Sequence, residues 1–178
     1  MASNKSNKKK GVEVEPELPS ELDLEMETLK SRPLISPQPK LLFVILIDAS
    51  GSMKVSGALA QALKAAPKII TDLAADSATK YGVEIVVVLY NDRITLLREF
   101  GPLKQGEVWQ IDDVDPDNIG GGTTRTGAAA RYAFRAIRER EAELCELGIT
   151  VQAQVVVLLT DGFAKDPEEY DAAIAERI

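Results

Sequence analysis

Three runs dominated by Val, Ile and Leu constrain this chain more than any other feature: Leu41 to Ile47, Val83 to Tyr90 and Val151 to Leu159. A strand with one wet face alternates apolar and polar residues, whereas a continuous apolar run such as Leu41 to Ile47 reads as a strand covered on both faces. Between the runs lie helical patterns. Leu59, Leu63, Ile70 and Leu73 recur at roughly helical spacing from about residue 56 to 80, and Thr126 to Leu147 is rich in Ala, Arg and Glu. Buried strands alternating with helices predict an α/β fold, a doubly wound and mostly parallel open sheet.

Proline and glycine punctuate this pattern. Pro67 is expected to kink the first helical stretch or split it in two, and Gly82 to end it. Asn91-Asp92 predicts a tight turn into Ile94 to Phe100, the one antiparallel edge strand. The loop that follows holds Pro102, Gly106, Pro116 and Gly120-Gly121-Gly122, with a short helix expected near Glu107 to Ile111. Gly148 closes the long helix, and Pro167 opens a last one that runs to Ile178. Right-handed crossovers should bring three loops to one sheet edge: those starting at Asp48 and Asp161, and the glycine loop before Thr126.

A chain of 178 residues accommodates one domain and a tail. Residues 1–39 are expected to form that tail, broken by Pro16, Pro19, Pro33, Pro37 and Pro39, and residues 40–178 the domain. Within the tail, Val12 to Glu15 and Leu22 to Glu27 alternate apolar with acidic residues. They read either as an acidic linker or as a short strand for a sheet edge or a partner. The net charge of -7, from 21 Lys and Arg against 28 Asp and Glu, argues against a nucleic-acid partner. Its one basic cluster, Lys5, Lys8, Lys9 and Lys10, reads as a solvated end. The longest apolar run falls well short of the roughly 20 residues of a membrane span, and no signal-peptide pattern is present, so the expected location is cytoplasmic.

The sequence contains no histidine and a single cysteine, Cys145, read as a reduced and partly packed thiol on a helix. Ser-His-Asp and Cys-His mechanisms are thereby excluded, as is zinc held by imidazole. Any metal must be a hard cation held by oxygen. Candidate donors are Asp48, Ser50 and Ser52 at alternate positions after the first strand, Thr124 before the long helix, and Asp161 at the end of the third apolar run. Two carboxylates and three hydroxyls suit Mg²⁺ or Mn²⁺. A coordination position left over would be filled naturally by an Asp or Glu of a partner protein.

Other readings of these residues fare less well. Asp48 could merely cap a helix. A phosphate-binding loop would need Lys and Ser/Thr after its glycines, and Ala128 follows Gly127 instead. A phosphatase with an Asp48 nucleophile would want a second carboxylate two residues on, where Ser50 stands. Arg131, Arg135, Arg138 and Arg140, interleaved with Glu139, Glu141 and Glu143, read as a solvated helix face with local ion pairs. Trp109 reads as loop core and Phe163 as part of a binding rim.

Asp48-Ala49-Ser50-Gly51-Ser52 resembles the D-x-S-x-S motif of von Willebrand factor A domains. Gly121 to Gly127 is similar to their metal-site threonine loop, and Thr160-Asp161-Gly162 to their second aspartate turn. Together these resemble a metal ion-dependent adhesion site, in the family's order, over residues 41 to 178. The resemblance implies that Ser50, Ser52 and Thr124 meet the metal directly or exchange with water, while Asp48 and Asp161 act largely through water. Spacing to Gly127 favours Thr124 as the threonine, whereas anchoring on the glycine pair favours Thr123.

The function expected on this basis is a Mg²⁺- or Mn²⁺-dependent protein-interaction module that takes an acidic residue of its partner, and not an enzyme. A metal-dependent phosphohydrolase, or a scaffold whose metal site no longer works, are the rival readings. The acidic stretch before the first strand resembles bacterial tellurium-resistance-type A domains, which implies a stress-response or ATPase-associated assembly. The family fold continues beyond the second aspartate turn, so truncation at the C-terminus is expected, with Val151 to Leu159 left as an apolar edge.

Overall fold

The apolar runs become a sheet with helices on both faces. The computed structural model describes residues 38–76, 79, 81–104, 107–111, 114, 119–162 and 164–177. The expectations for the tail up to residue 37, for Gly106 and Pro116, and for Phe163 lie outside these residues. The elements are β1 (Lys40–Asp48), α1 (Gly51–Val55), α2 (Ala58–Ala75), β2 (Val83–Tyr90), β3 (Ile94–Arg98), α3 (Thr126–Glu146), β4 (Val151–Leu159) and α4 (Pro167–Arg177).

The sheet order is β3-β2-β1-β4. β1 pairs in parallel with β2 on one side and with β4 on the other, and β3 runs antiparallel to β2. Alternate residues of the two central strands go to opposite cores. Ile45 and Ile47 of β1, with Ile85, Val87 and Leu89 of β2, pack with Leu59, Leu63, Ala66 and Ile70 of α2. Leu42, Val44 and Leu46, with Val86, Val88 and Tyr90, pack with Ala130, Ala133, Phe134 and Ile137 of α3. This two-sided covering is why neither strand alternates in sequence. β4 forms an edge of the described sheet and keeps Val156 37% exposed.

Three local expectations need correction. α2 is one helix across Pro67 rather than two, and the break in the helical stretch falls instead at Ser56-Gly57, where Gly57 adopts φ 74. Burial of Leu63, Ala66 and Ile70 on either side of the proline outweighs the hydrogen bond it lacks, while a left-handed residue cannot continue a helix. Residues 107–111 form no helix; Trp109 and Ile111 pack against the α2-side core from an irregular segment. Cys145 is exposed on α3 rather than partly packed.

Candidate metal centre

β1 is the strand at which the sheet order reverses. Its own connection leads to the α2 face, whereas β4 beside it leads to α4, whose Ala173 lies in the α3-side core. Loops that leave adjacent parallel strands toward opposite faces open a crevice at the carboxyl edge, the usual ligand position in such sheets. Asp48 ends β1 there, and Thr160 and Asp161 follow β4.

The Asp48 carboxylate is fully buried. Its Oδ1 accepts a 2.8 Å hydrogen bond from the Ser50 N–H, and its Oδ2 accepts one of 2.6 Å from the Thr160 hydroxyl. Ser50 occupies the N-cap of α1, yet its side chain makes no capping bond. Its Oγ instead lies 3.2 Å from Ser52 Oγ. The Ser52 hydroxyl donates to Asp161 Oδ1 at 2.9 Å, and the Ser56 hydroxyl to Asp161 Oδ2 at 3.1 Å. Asp48, Ser50, Ser52 and Asp161 thus share one polar cluster, buried at Asp48 and exposed at Asp161.

The glycine loop reaches this cluster through its backbone. Gly121 N–H donates to Ala49 C=O at 2.8 Å, and Gly51 N–H to Gly122 C=O at 3.5 Å. Thr124 is buried, at 5% exposure, and its carbonyl accepts a 2.9 Å bond from Lys165 N–H. Among the described residues no hydrogen bond joins the Thr124 hydroxyl to the other four. Thr123 is exposed, and both its N–H (3.1 Å) and its hydroxyl donate to Asp92 Oδ1. These two bonds hold the Asp92 carboxyl below its ordinary range, with Arg125 and Arg93 adding to the effect.

Several residues that shape the edge escaped sequence reasoning. Thr160 was visible only as part of the aspartate turn, and Ser56 lies beyond the motif. Asp166 reaches from before α4 to the N-terminus of α3, where its two oxygens accept from Gly127 N–H at 3.0 Å and Ala128 N–H at 3.1 Å. At Gly127 a Cβ would lie 2.5 Å from Tyr170 N, so only glycine permits this approach of the two helices. Tyr90, beside Asp48 in the register, has its phenol 3.4 Å from Thr126 Oγ1. Burial pushes that phenol up to about 12.

The spacings can be set against a hard dication. With metal–oxygen distances of about 2.0–2.1 Å, neighbouring ligands of an octahedron lie roughly 3 Å apart. Ser50 and Ser52 oxygens at 3.2 Å, and Ser52 and Asp161 oxygens at 2.9 Å, match such edges. Among the described residues no group of three or more His, Cys, Asp or Glu side chains could hold a metal. The donors brought together here are hydroxyls and carboxylates, hard oxygen ligands.

No curated protein matches the sequence. In solved structures, three N-terminal domains of the type V pili tip protein Mfa5 from Porphyromonas gingivalis are similar at 19% identity and a TM-score of 0.52, over 71% of this chain and 20% of that one. A von Willebrand factor type A protein from Catenulispora acidiphila is similar at 21% identity and a TM-score of 0.52, over 79% of this chain and 31% of that one. This chain therefore spans less than a third of either relative, and the likeness is one of fold. The family of von Willebrand factor type A domains matches residues 43–177. With that span and the sheet order above, the chain belongs to the von Willebrand factor type A domain family.

Proposed function

We propose that this domain binds a partner protein through Mg²⁺ or Mn²⁺ held by Asp48, Ser50, Ser52, Thr124 and Asp161. The observation that carries the reading is the chain of oxygens Ser50, Ser52 and Asp161, spaced 3.2 and 2.9 Å apart at an open sheet edge. Domains of this family are generally interaction modules and commonly bind a divalent metal at the adhesion site, which supports it further. When bound, the dication supplies a Lewis-acid position that attracts a carboxylate.

The protein's own groups divide the work. Asp48 has both oxygens engaged by Ser50 N–H and Thr160, so it acts through intervening groups and contributes charge. Ser50 and Ser52 offer neutral oxygens, and with only two carboxylates in the set the pull on a third, from the partner, is preserved. Thr123 is engaged with Asp92, which supports Thr124 as the threonine of the set. The sequence resemblance to tellurium-resistance-type domains supports a cytoplasmic stress-response or ATPase-associated assembly as the setting. No described helix is long and apolar enough to cross a membrane.

Calorimetric titration of Mn²⁺ and Mg²⁺ into wild type and an Asp48→Ala, Ser50→Ala double variant tests the metal assignment. Saturable binding by wild type, lost in the variant, is expected; equal binding in both, or none in either, overturns it. Affinity capture of partner proteins with and without EDTA tests the second half. Partners retained equally in chelator would show that binding does not pass through the metal.

A further inference from the structure

The turn between β2 and β3 does more than reverse the chain. Asn91 Nδ2 donates to Ile119 C=O at 3.1 Å, at the start of the glycine loop. Asp92 takes the other end through Thr123, accepting from its N–H at 3.1 Å and from its hydroxyl. Within the turn, Asn91 Oδ1 accepts from Arg93 N–H at 2.9 Å and Asn91 N–H donates to Arg93 C=O at 3.0 Å. The turn is thereby internally braced while it holds a loop about 30 residues away in sequence.

Gly122 shows how close this contact is. It adopts φ 76, and a Cβ there would stand 2.1 Å from Asp92 Oδ2. The backbone conformation there favours glycine, and the Asp92 carboxylate lies directly against it. The loop is therefore shaped around the Asp92 carboxylate. Thr123 is held outward against it and is exposed, whereas the next residue, Thr124, is buried. The clamp on Thr123 therefore acts one residue before Thr124.

We propose that Asp92 is a positioning residue for Thr124: by clamping Thr123 and Gly122 it holds the loop in the one arrangement that offers the Thr124 hydroxyl to the metal. The inference rests on the metal-site reading above. Groups that orient ligands without touching the metal commonly change its affinity by about 10–100-fold when removed. Asp92 is such a group, and no motif of the metal site contains it.

The test is Mn²⁺ titration of the full 178-residue chain in wild type, Asp92→Ala, Asp92→Asn, Thr123→Val, Thr124→Ala and the Asp92→Ala, Thr124→Ala pair. Asp92→Ala is expected to weaken Mn²⁺ roughly tenfold or more. Asp92→Asn keeps an acceptor for Thr123 and recovers part of the loss. Thr123→Val, which retains the N–H bond but lacks the hydroxyl, falls in between. In the Thr124→Ala background, Asp92→Ala causes no further loss, because the group it positions is gone. Wild-type affinity in Asp92→Ala, or an equal loss in both backgrounds, would overturn the proposal. Absence of Mn²⁺ binding in wild type would instead sink the metal reading itself, so the two failures are told apart.

Discussion

The Thr160 hydroxyl, just past β4, donates a 2.6 Å hydrogen bond to the buried Asp48 carboxylate at the end of β1, across 112 residues of chain. Thr160→Val removes the donor and leaves Asp48 Oδ2 buried without it. The expected cost is about 1–3 kcal/mol of stability, measured by urea unfolding in EDTA. Mn²⁺ affinity should fall roughly tenfold or more as Asp48 loses its orientation, and Thr160→Ser should retain both properties.

Asp166 caps α3 from outside that helix. Asp166→Ala should cost about 0.5–2 kcal/mol, the usual range for a lost cap, with Asp166→Asn nearer to wild type. Gly127→Ala drives a methyl into the backbone of Tyr170 and should cost about 1–3 kcal/mol or more. Urea unfolding without metal checks both.

Arg140 is the one member of the α3 arginine series that turns inward. Its Nε lies 2.7 Å from Glu84 Oε2, and Glu84 is fully buried, with Oε1 lacking a partner among the described residues. Arg140→Met strands that carboxylate and should cost about 3–5 kcal/mol by urea unfolding. Adding Glu84→Met removes the stranded charge and should restore most of the loss. Lys40 nearby is pushed down chiefly by burial, with Glu84 raising it and Arg140 lowering it, so the double variant removes two opposing influences.

Tyr90 gives the fold an alkaline limit. Its phenol is raised from 10.0 to about 12, chiefly by burial. Between those values the unfolded chain releases the proton while the folded chain keeps it. Stability from this group is therefore complete below pH 10.0 and falls at about 1.4 kcal/mol per pH unit toward pH 12. Subtracting the unfolding free energies of Tyr90→Phe from those of wild type across this window should isolate the slope.

The strands were legible because covering both faces leaves no alternation: Val83–Tyr90 has the bounds expected, and Lys40–Asp48 differs by one residue at each end. Pro67 did not split the helix because local propensity was set against the burial of Leu63, Ala66 and Ile70, and burial prevailed. Arg140 looked like its neighbours, since helical spacing does not reveal that Glu84 waits in the sheet. At the candidate site the oxygen donors were legible by type and order. Their supports were not: Thr160, Asp92 and Asp166 act on residues 112, 31 and 39 positions away, distances at which sequence carries no local signal.

The placement of the site between β1 and β4 also bears on when it comes into being. Contacts between distant residues form late, because the intervening chain must first be closed into a loop. α2 and the β2–β3 hairpin form from near neighbours, whereas Asp48 meets Thr160 only after β4 docks. Until β4 docks beside β1, Asp161 is not brought to Ser52. The proposed metal site would then be complete only in a finished sheet.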